Sequence, residues 1–151
     1  MNRHVTMLRR WAGWVSGVWG GLLLGVGFIG APAGFAVTTA EIAGRSAGRM
    51  FAVEAYVSLA VAVIVLILTR RSASVEPEQP VVPALNTDVL LVLGTLFCTV
   101  AGYFVIQPMM AAARAGQGGG LSFGALHGLS AGFFALKALL VLLLAWRLAA
   151  R

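Results

Sequence analysis

The sequence predicts an all-α protein, a membrane-spanning four-helix bundle with both termini in the cytoplasm, and three observations predict it. Of the 151 residues 60% are hydrophobic and only 11% charged, with a mean hydropathy of +0.92. That exceeds what a soluble core of this size needs and makes lipid the solvent. The charges gather at the ends of apolar runs, as orientation signals do. Two ionisable residues, Glu54 and Lys137, lie inside such runs, where a carboxylate or ammonium is costly in lipid and faces a protein interior. The formal net charge of +6 therefore reads as membrane orientation rather than phosphate tracking, and no nucleic-acid partner is expected. The length fits a single domain, 1–151. Cys98 is the single cysteine, so an internal disulfide is excluded and the thiol reads as a small buried hydrophobe.

Helix 1 is expected at about 11–29, uncharged and long enough to cross a core of ~30 Å. A cleaved signal peptide is the competing reading, since Gly34-Phe35-Ala36 resembles a small-residue cleavage site. The apolar region is too long and too rich in Gly and Trp for that. Gly13, Gly17, Gly21 and Gly25 recur at four-residue spacing and predict a helix-packing stripe, against a helix of the same chain or of a second copy. Pro32 is expected to end the helix. Thr38 and Glu41 have capping-box spacing for helix 2, expected at 39–69, with Arg45 and Arg49 at the headgroups and Arg70 and Arg71 closing it. An exposed cytoplasmic linker, 72–85, follows. Asn86 is the expected N-cap of helix 3, 87–107, with Asp88 suiting the helix dipole in its first turn. Pro108 kinks or ends that helix, Gly116 to Gly120 form slack or a hinge, and helix 4 runs over 123–146.

The basic residues orient the chain. Arg3, Arg9, Arg10, Arg70, Arg71, Arg147 and Arg151 fall on one side, and Arg45, Arg49 and Arg114 on the other. Positive-inside logic puts the first set in the cytoplasm. Lys137 is the only lysine among 11 basic residues, usage that suits a bacterial chain, so a multi-pass protein of the inner (plasma) membrane is expected.

The unusual residues then gather on the outer side: Pro32, Arg45, Arg49, Pro108 and Arg114, with His127 near them. On helix 4, His127, Ser130, Phe134 and Lys137 share one stripe, and on helix 2 Met50, Glu54 and Ser58 share another. A polar intramembrane cluster of Glu54, His127, Ser130 and Lys137 is the expectation. Glu54 lies ~6 to 8 Å below the outer end and Lys137 ~15 Å, at 1.5 Å per residue. The lysine side chain leans toward its own N-terminus and closes much of that gap, so an ion pair is expected.

Gly27-Phe28 with Ala31-Pro32 and Phe35, the run Ala43 to Phe51, Pro108-Met109 with Arg114, and Phe123 to Ser130 resemble the motifs of the transmembrane protein 205-like family. The resemblance covers nearly the whole chain and implies a small four-helix membrane protein, its bacterial members a domain of unknown function, with no established activity. Lys137 falls where a neutral residue is expected in that family.

Three chemistries compete. Gly128-Leu129-Ser130-Ala131-Gly132 matches G-x-S-x-G, but that elbow needs a strand-turn-helix context, so no catalytic residue and no enzyme is expected. Met50, Met109 and His127 are weak candidates for a copper(I) site, since thioether and imidazole suit that ion while Met-x-x-Met and Cys-x-x-Cys spacings are missing. Ion or proton conduction through Glu54, His127 and Lys137 meets a wholly apolar inner half at Val61 to Leu68 and Leu139 to Ala145. The expectation is a non-enzymatic scaffold or accessory bundle without cofactor, binding membrane lipid, its own copy as a homodimer, or a heterologous membrane subunit. An ion- or proton-conducting or copper-handling protein is the alternative.

Overall fold

A computed structural model describes residues 3–74, 85–117 and 120–150; most of the expected linker, part of the glycine run at 116–120, and Arg151 lie outside the described residues. Four helices are long and apolar enough to span a membrane. They are α1 (Arg3–Val37), α2 (Ala40–Ser74), α3 (Thr87–Arg114) and α4 (Phe123–Ala149). The described residues contain no strand.

All four run beyond the bounds expected from the sequence. The first helix takes in Arg3, Arg9 and Arg10, and α2 continues through Arg70 and Arg71. Neither proline stops its helix. The reason is the same in both: a π turn precedes the proline, Gly25–Gly30 before Pro32 and Val100–Val105 before Pro108. The amide of Ala31 bonds the carbonyl of Val26, and that of Ile106 bonds Ala101, each five residues back. The wider turn lets the helix pass a residue that has no N–H to give. The capping box also forms differently. Thr38 closes α1, its hydroxyl donating to the Gly34 carbonyl at 3.0 Å, and Thr39 caps α2, its hydroxyl accepting from Ile42 N–H at 3.5 Å. Glu41 instead meets Arg45 at 3.6 Å in an exposed i,i+4 pair. Asn86 caps α3 as expected, accepting from Val89 N–H at 2.9 Å.

The helix α4 holds the bundle together. It packs antiparallel to α1, with Gly13 beside Leu148, Gly20 beside Leu142 and Gly27 beside Phe134. These glycines recur every seven residues, the spacing that keeps one face of a helix on its partner. The four-residue stripe does not. Each step of four turns about 40° around a helix of 3.6 residues per turn, so the stripe winds off the seam. Gly13 touches α4, whereas Gly17, Gly21 and Gly25 have no atom of the chain in reach of an added Cβ. The stripe expected to pack thus contributes one residue to the bundle, and Gly20 and Gly27 supply the rest of the seam.

On its other flank α4 meets α3. Leu140 lies over Gly94 and Phe133 over Gly102, so the two π turns receive the adjacent phenylalanines Phe133 and Phe134, one each. Ala12, Trp19, Leu23, Val65, Val92 and Val141 fill the core between all four helices. A smaller cluster of Ile106, Met110 and Leu126 closes the end opposite the termini.

Gly102 and Gly17 separate the two kinds of glycine. A Cβ at Gly102 would stand 2.7 Å from Phe133 Cβ, close to the backbone of α4 and unable to swing away. Gly102→Val is expected to cost about 1–3 kcal/mol by overpacking, and Gly17→Val almost nothing within one chain. Reversible unfolding in mixed micelles measures both; equal losses would contradict the packing described.

Candidate functional site

The apolar period of α2 turns Glu54 inward, and that of α4 turns Lys137 inward; each is 3% exposed. Lys137 Nζ donates to both carboxylate oxygens of Glu54, at 2.8 and 2.9 Å. Ser58, one turn along α2, also donates to Glu54 Oε1. The Ser58 hydroxyl in turn accepts from the indole N–H of Trp19 at 2.8 Å. The ammonium additionally stands 5.1 Å from the centre of the Phe134 ring, a favourable position for a cation over an aromatic face. Trp19, Ser58, Glu54 and Lys137 therefore form one buried network that ties α1, α2 and α4 together. Trp19 is the member sequence reasoning did not include. The sequence did not single it out, since Trp11 and Trp14 lie on the same span and are exposed; only its burial shows that this indole needs an acceptor.

His127 and Ser130 share the α4 stripe with Lys137 but do not join this network. Ser130 lies about two turns from Lys137 toward the outer end, and its hydroxyl donates to the Gly102 carbonyl in the π turn of α3 at 2.8 Å. His127 is exposed and stacks on Phe123, ring centres 5.9 Å apart, and the same Phe123 ring carries the Arg114 guanidinium at 4.4 Å. The remaining outer motif residues divide by face. Arg45, Arg49, Pro32 and Pro108 point outward, while Ala43 and Ala47, from the same run as the arginines, are buried.

A second ion pair was missed from the sequence. Asp88, expected only to suit a helix dipole, is buried and accepts from Arg147 Nε at 2.9 Å, joining the first turn of α3 to the last turn of α4. At this end Arg147 is 31% exposed, so the pair is the wetter of the two. Ser16, fully buried on α1, has a hydroxyl without a hydrogen-bond partner.

Among the described residues no group of three or more His, Cys, Asp or Glu could hold a metal ion. Of the thioether candidates, Met50 lays its terminal methyl against Gly30, and Met109 is 44% exposed. Chemically, the Glu54 carboxylate accepts three hydrogen bonds, two from the Lys137 ammonium and one from the Ser58 hydroxyl, and the network runs on to the Trp19 indole. As built, this arrangement holds helices in register.

Residues 14–118 match the family described as Domain of unknown function (DUF4149). The chain belongs to that family. The match takes in Trp19, Glu54, Ser58 and Asp88 but stops before α4, so both cross-helix ion pairs join a residue inside the DUF4149 segment to one beyond it, Lys137 or Arg147. No curated protein and no solved structure matches the chain.

Breaking one partner of a buried pair leaves a charge that nothing compensates. Lys137→Met alone is expected to cost about 3–5 kcal/mol, and Lys137→Met with Glu54→Gln distinctly less. Arg147→Met at the wetter pair should cost about 1 kcal/mol or less. A double-mutant cycle on unfolding in detergent reads these values; additive losses at Glu54 and Lys137 would mean the pair does not couple.

Proposed function

We propose that this DUF4149 chain is a non-enzymatic scaffold or accessory bundle of the bacterial inner membrane, its termini cytoplasmic, which associates with a second copy through α1. One observation carries the proposal: Gly17 and Gly21 form an open small-residue face on the outside of the bundle. Small residues at four-residue spacing let another backbone approach closely, and in lipid that close packing is itself a driving force. Here no helix of the same chain uses the face. Trp14 and Val18 flank it, 71% and 69% exposed.

The four motifs that resemble those of the transmembrane protein 205-like family imply the same architecture and no established activity. Conduction and copper handling draw less support, because Glu54 and Lys137 are consumed by the helix-tying network and Met50 by a packing contact.

Native mass spectrometry of the chain in mild detergent is expected to record a dimer. Gly17→Leu and Gly21→Leu, at exposed positions where an added Cβ meets nothing within 4 Å, are expected to return it to a monomer while insertion persists. Association unchanged by both substitutions would remove α1 as the contact face.

A further inference from the structure

The outer surface of α1 carries two grooves separated by a ridge of Thr6, Arg10, Trp14 and Val18, residues that border both. One groove runs along the glycine flank toward Leu148. The other lies between α1 and α2, with a volume of about 880 Å³, within the ~300–1,000 Å³ of small-ligand sites. Its composition changes along its length. At the terminal end of the bundle it is lined by Arg3, Thr6 and Arg10; deeper in the membrane it is lined by Trp14, Val18 and Val57. Trp19, pinned by its hydrogen bond to Ser58, also lines it and ties it to the buried network.

Arg3, Thr6 and Arg10 follow one another at three and four residues and so share a face, with the two arginines about 10 Å apart along the axis. Both are exposed, and among the described residues neither has an acidic partner. Asp88, at the same end, is already engaged by Arg147. Two exposed guanidinium groups with a hydroxyl between them form a seat for phosphate oxygens. An apolar trough that begins beside that seat and descends into the bilayer suits a hydrocarbon chain.

We propose that this groove binds one anionic phospholipid, its phosphate on Arg3 and Arg10 and an acyl chain lying between α1 and Val57 of α2. Basic pockets between spanning helices recognise anionic headgroups in this way. The site adjoins the association face proposed above across the ridge, Trp14 and Val18 bordering both, but takes its own lining from Arg3, Trp19 and Val57.

The test is native mass spectrometry of the full chain from micelles holding equal amounts of phosphatidylglycerol and phosphatidylcholine. Preferential retention of one phosphatidylglycerol per chain is expected. Arg3→Gln with Arg10→Gln, both at exposed positions, should lower that preference on the order of twenty-fold. Val57→Trp, which fills the trough from an outward-facing position, should reduce retention of either lipid, and Arg114→Gln at the far end should change nothing. Equal retention of the two lipids, or a loss on Arg114→Gln as large as that on the arginine pair, would overturn the proposal. Lipid lost on Gly17→Leu would do so as well, by placing it between copies rather than in this groove.

Discussion

The contact between Glu54 and Lys137 is the constraint on which the bundle depends. A charge in the hydrocarbon region is tolerated only where an opposite charge and hydrogen bonds compensate it. Here the carboxylate receives the ammonium and a serine hydroxyl, and that serine receives an indole. Because each donor comes from a different turn or helix, the pair cannot form unless α1, α2 and α4 stand at one relative height. Apolar packing alone permits several registers between smooth helices; a buried ion pair permits one. Asp88 and Arg147 set the remaining helix in the same manner, α3 against α4. The last helix thus serves as a common reference for the other three.

Close approach makes these bonds reachable. Glycines at 13, 20 and 27 on α1 and at 94 and 102 on α3 let both helices press onto α4. At two of these glycines the helix has opened into a π turn, which passes the following proline and receives a phenylalanine ring. An unusual backbone therefore has two consequences in one place: it carries the span through Pro32 or Pro108, and it seats Phe134 or Phe133. Phe134 then stands beside the Lys137 ammonium, so the packing seam and the ion pair share a wall.

Much of this was legible in the sequence, and where it was not the reasons are physical. Glu54 and Lys137 stood out because an ionisable group in an apolar run has few reasons to be there, and the depth count showed that the lysine stem could bridge the gap. The four spans were legible from hydropathy, but their ends were not. A proline signals a missing donor, and only the backbone shows whether a π turn has already absorbed the loss. The glycine stripe left its partner open, and geometry decides which part of it the bundle uses: a repeat of four drifts around the helix, so only Gly13 meets α4, while a repeat of seven through Gly20 and Gly27 stays on the seam. Asp88 was hidden by a sufficient local explanation at a helix N-terminus, although Arg147 lies at a matching depth on α4. His127 and Ser130 show the limit of stripe arguments: residues on one helical face share a direction, but each turn meets a different neighbour.

The placement of the paired charges along the chain bears on its biogenesis. Glu54 lies on the second span and Lys137 on the fourth, so during synthesis the carboxylate reaches the membrane well before its counterion exists. Lys137 follows only after the other three helices have been made. Entry of the final helix brings the ammonium to the carboxylate and Arg147 to Asp88 in the same movement. Integration of α4 therefore supplies one half of each cross-helix ion pair, and a nascent chain cut short before Lys137 lacks both pairs.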